Sequence, residues 1–272
     1  MIIQHNMSAA NTNRQLGVTN SNLAKSTEKL SSGYKVNRAA DNAAGLTISE
    51  KMRGQIRGLD QASTNAQDGI SLIQTAEGAL AETESILQRM RELTVQAAND
   101  TNVTADRDAI KEELTSLQAE ITRIGEQAEF NTMKLLSGGF TAKNLQVGAN
   151  ADQRISIAIS SMTASGLNVA SIDQKISNYS IATAQISVVQ SAIDTVSTKR
   201  SYLGAIQNRL EHTISNADNT SENLQSAESR IRDVDMAEEM VKYSKDSILQ
   251  QAGQSMLAQA NQATQGVLSL LR

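Results

Sequence analysis

The chain has 272 residues and a formal net charge of −4, and it contains no proline, tryptophan or cysteine. The charge offers no general attraction to nucleic acid or an anionic membrane, and without cysteine neither disulfides nor thiolate metal sites can form. Average usage would give about 14 prolines. Their absence, with only two Phe and four Tyr, predicts long uninterrupted helices packed through thin seams of Leu, Ile, Val, Ala and Met.

Leu16, Leu23 and Leu30 recur at heptad spacing, and Gly33 in "KLSSGYK" supplies a helix stop. A second helix is expected from "AAGLTISE" onward, with Ile73, Ala76, Leu80, Leu87, Met90 and Ala97 as its seam and "NDTN" at 99–102 as its end. The third starts at "VTADRD", carries Ile110, Leu114, Leu117, Ile121 and Ile124 as a stripe, and is expected to end near Phe130. The period then changes to two: Leu145 alternates with Val147, and Ile155, Ile157 and Ile159 alternate with small or polar residues about "GANAD". This predicts a β-hairpin at about 140–160. Helix returns near Ser180 and runs through "LGAIQNRLEHTISN" toward the C-terminal segment. The fold class is therefore mainly α, with long antiparallel helices folded back in coiled coils and a small β-hairpin region in the middle of the chain.

From Ser247 to Leu271 there is no charged side chain, yet six glutamines and Asn261 interrupt the run, so it does not read as a membrane span. Ile248, Ala252, Met256, Ala260, Ala263, Val267 and Leu270 recur at steps of three and four, which predicts an amphipathic helix. If such helices packed against copies of themselves, each ionised group would meet its own copy, and burying unpaired charge is costly. Amides and hydroxyls carry both donors and acceptors and avoid that conflict. A charge-free, amide-rich terminus thus suits the dense core of a homopolymer, and contacts that do not close into a ring give a helical filament. Residues 1–60 hold eight Lys or Arg against four Asp or Glu, whereas residues 211–240 hold two against eight. This asymmetry predicts that the two terminal helices pair.

Little in the chain suggests catalysis. The two histidines are His5 and His212, and "LEHT" lacks the second His of a zinc protease motif. "LLSGGF" lacks the Lys and Ser/Thr of a phosphate loop and reads as a turn. The adjacent acids Glu112 with Glu113, and Glu238 with Glu239, point in different directions on a helix and read as solvated faces. No enzyme activity, cofactor or metal is expected. The opening "MIIQHNMSAANTNRQLG" lacks a secretory signal's basic region and apolar run, so export would take another route.

Six ordered blocks carry a resemblance: "LSSGYKVNRAADNAAGLTIS" (30–49), "LQRMRELTVQAAN" (87–99), "FNTMKLL" (130–136), "LGAIQNRLEHTISN" (203–216), "ESRIRDVDMAEEM" (228–240) and "ILQQAGQSMLAQANQATQGVLSLLR" (248–272). Together they resemble the bacterial flagellin family over both ends and most of the chain. The resemblance implies an inner coiled-coil domain of residues 1–44 and 232–272 lining a filament channel. It also implies an outer rod domain of residues 45–231, built from three long helices and the hairpin, with no large further outer domain. Self-assembly is expected through Ile3, Leu16, Leu23, Leu30, Ile248, Met256, Val267, Leu270 and Leu271. Other implied partners are the flagellar type III export apparatus, an export chaperone, and the filament cap and hook-junction proteins. The implied location is the extracellular filament, with neither nucleic-acid binding nor membrane insertion.

The resemblance further implies recognition by Toll-like receptor 5 through Gln88, Arg89, Leu93, Ile110 and Glu113, with Arg89 and Leu93 as a charged and an apolar anchor on one helix face. Two positions depart from the family pattern. Asn42 stands where "AADDAAG" has a second Asp, with a local ion pair near Arg38 as the feature at stake. Thr264 follows Ala263 where many members have proline, which should leave the last helix less interrupted. The rival within the class is a hook-filament junction protein. A signalling coiled coil would normally need membrane spans.

Overall fold

The computed structural model describes residues 6–176 and 178–270, with side chains of the last helix described as far as Ala263. Among them are helices α1 (Met7–Ser32), α2 (Ala43–Ala97), α3 (Thr104–Gln127), α4 (Tyr179–Arg232) and α5 (Met236–Leu270). Strands β1 (Glu129–Phe130), β2 (Met133–Lys134), β3 (Lys143–Gln146) and β4 (Arg154–Ile157) lie between α3 and α4. The chain divides into two compact units, one of residues up to Gly54 together with those from Asn223, the other of Gln55–Glu222.

In the first unit α1 and α5 pack antiparallel: Asn20 meets Gln250 at 2.8 Å, while Ser26 meets Glu239 and Asn6 meets the carbonyl of Ala260. Ala9, Leu16, Leu23 and Leu30 lie partly buried along α1, so the heptad seam is borne out. Gly33 ends this helix with φ 76°, a left-handed conformation that favours glycine, and its N–H bonds the carbonyl of Lys29. Asn42 caps α2 by accepting the N–H of Gly45 at 2.9 Å, while Arg38 pairs with Glu28. Asp235 caps α5 in the same way through the N–H groups of Ala237 and Glu238. With no proline to interrupt it, α5 runs unbroken past Thr264.

The face by which α5 meets α1 corrects the sequence reading. Its buried or half-buried positions are Glu239, Tyr243, Asp246, Ser247, Gln250, Gly253, Leu257 and Ala260, whereas Ile248 is 66% and Met256 65% exposed. Steps of four overshoot a 3.6-residue turn by about 40° each, so a stripe begun at Ile248 winds around the helix and reaches the α1 side only at Ala260. The seam that α1 occupies is mostly small or polar, with Tyr243 and Leu257 as its larger side chains, and Leu16 comes so close to Gly253 that an added Cβ would lie 3.3 Å from its Cδ1. Ile248, Leu249 and Met256 point elsewhere.

The opposite charges of the terminal segments do not join them as ion pairs. The terminal helices do pair, but no described ion pair joins α1 to α5. Arg232, at the end of α4, instead meets Glu50 of α2 at 2.8 Å and stacks over the Tyr34 ring at 4.5 Å. Nor is Glu239 a solvated acid: it is 4% exposed and accepts the Ser26 hydroxyl at 2.7 Å.

In the second unit the segments of α2 and α4 run antiparallel, with Arg200 of α4 on Glu84 of α2 at 2.6 Å, and α3 packs beside them. Ile73, Leu80 and Leu87 from α2, Leu114 and Ile121 from α3, and Val189, Val196 and Leu203 from α4 are fully buried in one core. The hairpin closes over it in the register Lys143↔Ile157 and Leu145↔Ile155, with Ile155, Ile157 and Ile159 inward. Gly69 permits that closure, since a Cβ there would lie 2.3 Å from Leu145. The third helix ends at Gln127, short of the expected Phe130, because Glu129 and Phe130 pair with Lys134 and Met133. Asn131 and Thr132, both at positive φ, form the two-residue turn of this additional hairpin.

Candidate functional site

Two surfaces bear on function, and neither has the chemistry of an active site. The first lies in the terminal unit. Along α5, Met236, Met240, Val241, Ile248, Leu249 and Met256 are 47–69% exposed, and on α1 Met7 and Val18 are 73% and 51% exposed. Scattered apolar residues are normal on a protein surface, but Val241, Ile248, Leu249 and Met256 fall within about 100° of one another around α5 and together mark an interaction face. Of the residues expected to drive assembly, Leu16, Leu23 and Leu30 are partly covered within the chain by α5, while Ile248 and Met256 are open. Ile3 and Leu271 lie outside the described residues, as do the side chains of Val267 and Leu270.

The second surface lies on α2 and α3 in the other unit. Arg89 donates through Nε and Nη2 to Glu113 at 3.0 and 2.9 Å and through Nη1 to Glu92 at 3.0 Å. Hydrogen bonding to Glu113, then to Glu92, holds the Arg89 guanidinium even more firmly protonated than usual. Gln88 and Glu113 are exposed beside it. Leu93 is not: it is 2% exposed, and Ile110 is 6% exposed. The expected pairing of a charged with an accessible apolar anchor therefore does not occur in the folded chain. Leu93 and Ile110 belong to the core beneath Gln88, Arg89 and Glu113, and the surface offers polar contacts over an apolar floor. Periodicity could have shown this, because Leu93 stands three residues after the seam residue Met90 and four before Ala97.

Sequence reasoning also missed the junction around Arg232. Tyr34 bridges Asp233, Lys35 donates its N–H to the Arg232 carbonyl at 2.6 Å, and Val234 donates to Gly33 at 3.1 Å. Hydrogen bonding from Arg232 keeps the Glu50 carboxyl below its usual range, and the N–H groups of Arg38 and Asn37 do the same for Asp41. A short linker between α4 and α5 is thus fixed by backbone pairing to the exit of α1. Among the described residues no cluster of His, Asp and Glu could hold a metal ion, and no helix is long and apolar enough to cross a membrane.

With this geometry in place, likeness to known proteins becomes informative. The family model of the bacterial flagellin N-terminal helical region matches residues 3–141, and that of the C-terminal helical region matches residues 186–271. A flagellin of Halalkalibacterium halodurans is 56% identical over 272 residues, and one of Bacillus subtilis is 51% identical over 304, each alignment covering both chains in full. A solved structure described as a flagellar hook-associated protein of Vibrio parahaemolyticus covers 71% of this chain and 100% of its own, with TM-score 0.60 and 14% identity, which shows a shared fold. Folded-back terminal helices with an open apolar face, in a chain matched at both ends by these families, define a structural protein of the bacterial flagellum. The chain belongs to the bacterial flagellins, structural subunits of the flagellar filament and not enzymes.

Proposed function

We propose that this chain polymerises into the helical filament through its terminal helices. Residues 1–44 and 232–272 form the inner domain about the channel, and residues 45–231 form the outer rod. The observation that carries this reading is the distribution of apolar side chains on α5: the seam given to α1 is mostly small or polar, while Ile248 and Met256 are left uncovered. In the filament such a face is covered by other copies. The filament is extracellular and serves swimming. Export proceeds unfolded through the flagellar type III apparatus, with a chaperone covering the C-terminal helix until assembly at the filament cap. Seeding gives the test: purified chain added to sheared filaments should lengthen them in electron micrographs, and no growth would remove the reading.

A hook-filament junction role is the alternative, favoured by the fold shared with the hook-associated protein. The full-length identity to flagellins speaks for the filament.

The α2–α3 surface supports recognition by Toll-like receptor 5, with Gln88, Arg89 and Glu113 in contact and Leu93 and Ile110 setting the shape beneath. Breaking an exposed ion pair costs about 0–1 kcal/mol of stability, so Arg89→Ala should leave the melting temperature nearly unchanged while lowering reporter-cell signalling severalfold. Unchanged signalling from folded Arg89→Ala would discard this surface.

A further inference from the structure

With no cysteine in the chain, the methionine thioethers are the only sulfur that an oxidant can reach. They are unevenly placed. In the Gln55–Glu222 unit Met90 and Met162 are sealed in the core at 0% and 1% exposure, and Met133 is 39% exposed. In the terminal unit Met7, Met236, Met240 and Met256 are 73%, 48%, 49% and 65% exposed. Met256 differs from the others in its surroundings. It shares the apolar face of α5 with Val241, Ile248 and Leu249, whereas Met236 and Met240 lie about 160° from it around the helix. Of its neighbours three and four residues away, Ala252, Gly253 and Ala260 offer no side-chain donor, and Gln259 offers its amide.

Resting on the filament reading above, we propose that Met256 is a site of reversible oxidation by peroxide, and that its oxidation withdraws the free chain from filament growth. The thioether sulfur attacks one peroxide oxygen. The S–O bond forms as the O–O bond breaks, sulfur is oxidised by the loss of an electron pair, and the peroxide is reduced to water. The resulting sulfoxide is polar where the thioether was apolar. In the free chain water solvates the new oxygen, so the fold is kept. Between subunits the same oxygen would be stripped of water on a face poor in donors, and burying a polar group without its hydrogen bonds is costly. Assembly also closes the route, because a sulfur covered by another copy no longer meets peroxide. Oxidation therefore acts on free subunits and spares the built filament. A methionine sulfoxide reductase, with a dithiol oxidised to its disulfide, removes the oxygen as water and returns the subunit to growth.

The test treats the free full-length chain with hydrogen peroxide, maps the product by peptide mass spectrometry and adds it to untreated seeds. Met256 should gain one oxygen while Met90 and Met162 gain none, the helical circular dichroism should be kept, and growth should slow at least about tenfold. Variants are compared with their own untreated rates. Met256→Leu, which nearly conserves volume, should keep most of its rate after peroxide, whereas Met236→Leu with Met240→Leu should lose it as the natural chain does. Reductases for both sulfoxide epimers, supplied with dithiothreitol, should restore growth of the treated natural chain. Undiminished growth from chain oxidised at Met256, an equal loss in Met256→Leu, or no recovery on reduction would overturn the proposal. Should Met256→Leu fail to lengthen seeds even untreated, the rate of oxidation decides: Met256 should react many times more slowly in filaments than in the free chain, and equal rates would overturn the proposal. Failure of the untreated natural chain to lengthen seeds removes the filament reading itself, an outcome distinct from any of these.

Discussion

Placing aspartate at both Ile248 and Met256 is expected to abolish filament growth while leaving the monomer folded. Both side chains are about two-thirds exposed and turned from α1, and substitutions at such surface positions change stability by about 0.5 kcal/mol or less. In a packed polymer the same two positions would meet other copies carrying the same charge. An unpaired buried charge costs several kcal/mol, and each 1.4 kcal/mol is about tenfold in an association constant. Two charges per subunit should therefore raise the critical concentration by more than about a hundredfold. Circular dichroism of the monomer and electron microscopy of seeded reactions read the two halves of this result. Normal growth of the double variant would show that this face is not buried between subunits. Point substitution is a sharper probe than truncation after Asp246, which would also remove Gln250, Gly253, Leu257 and Ala260, the residues that hold α5 against α1. Loss of filaments from a truncated chain would not separate pairing within the chain from packing between chains.

Leu93→Ala is expected to act on stability. At 2% exposure in the core shared by α2, α3 and the hairpin segment, its truncation removes buried methyl groups and leaves a cavity, at a cost of about 2–5 kcal/mol. For a unit of this size that corresponds to a fall in melting temperature of roughly 5–15 °C. Receptor signalling should fall with it, for lack of folded protein. Leu93→Met nearly conserves volume and should cost less than about 1.5 kcal/mol. It therefore separates the two causes: signalling kept by Leu93→Met alongside a large thermal loss in Leu93→Ala places the residue beneath the receptor surface. An unchanged melting temperature in Leu93→Ala would contradict its burial. The contrast with Arg89, whose exposed pairing with Glu113 contributes little to folding, shows that two residues four apart on one helix can have opposite roles.

The long helices were legible because their signals are local and repeated. Leu16, Leu23 and Leu30 repeat at heptad spacing, Gly33 alone suits the left-handed stop, and Ile73, Ala76, Leu80, Leu87 and Met90 hold one face through five turns. The main hairpin was legible for the same reason, since Ile155, Ile157 and Ile159 alternate over enough residues to establish a period. The β1–β2 pair was not, because two-residue strands carry no period and the turn uses Asn131 and Thr132, not glycine. The exit of the third helix was missed with it.

Sequence by itself determined that this chain is a set of long helices about a small β centre, and that its last segment avoids charge. Propensity, period and the absence of proline act within each segment and need no partner. Tertiary structure alone decided which face of each helix is covered. Facing α1, α5 turns Gln250 and Gly253 inward and leaves Ile248 and Met256 outside, although hydrophobicity alone would choose the reverse. The same packing buries Glu239 on Ser26, joins Arg89 to Glu113, and leaves Lys25 and Lys29 without a described ion pair. Each of these depends on residues 24 or more positions apart, and the energy that selects a face comes from the neighbour that covers it.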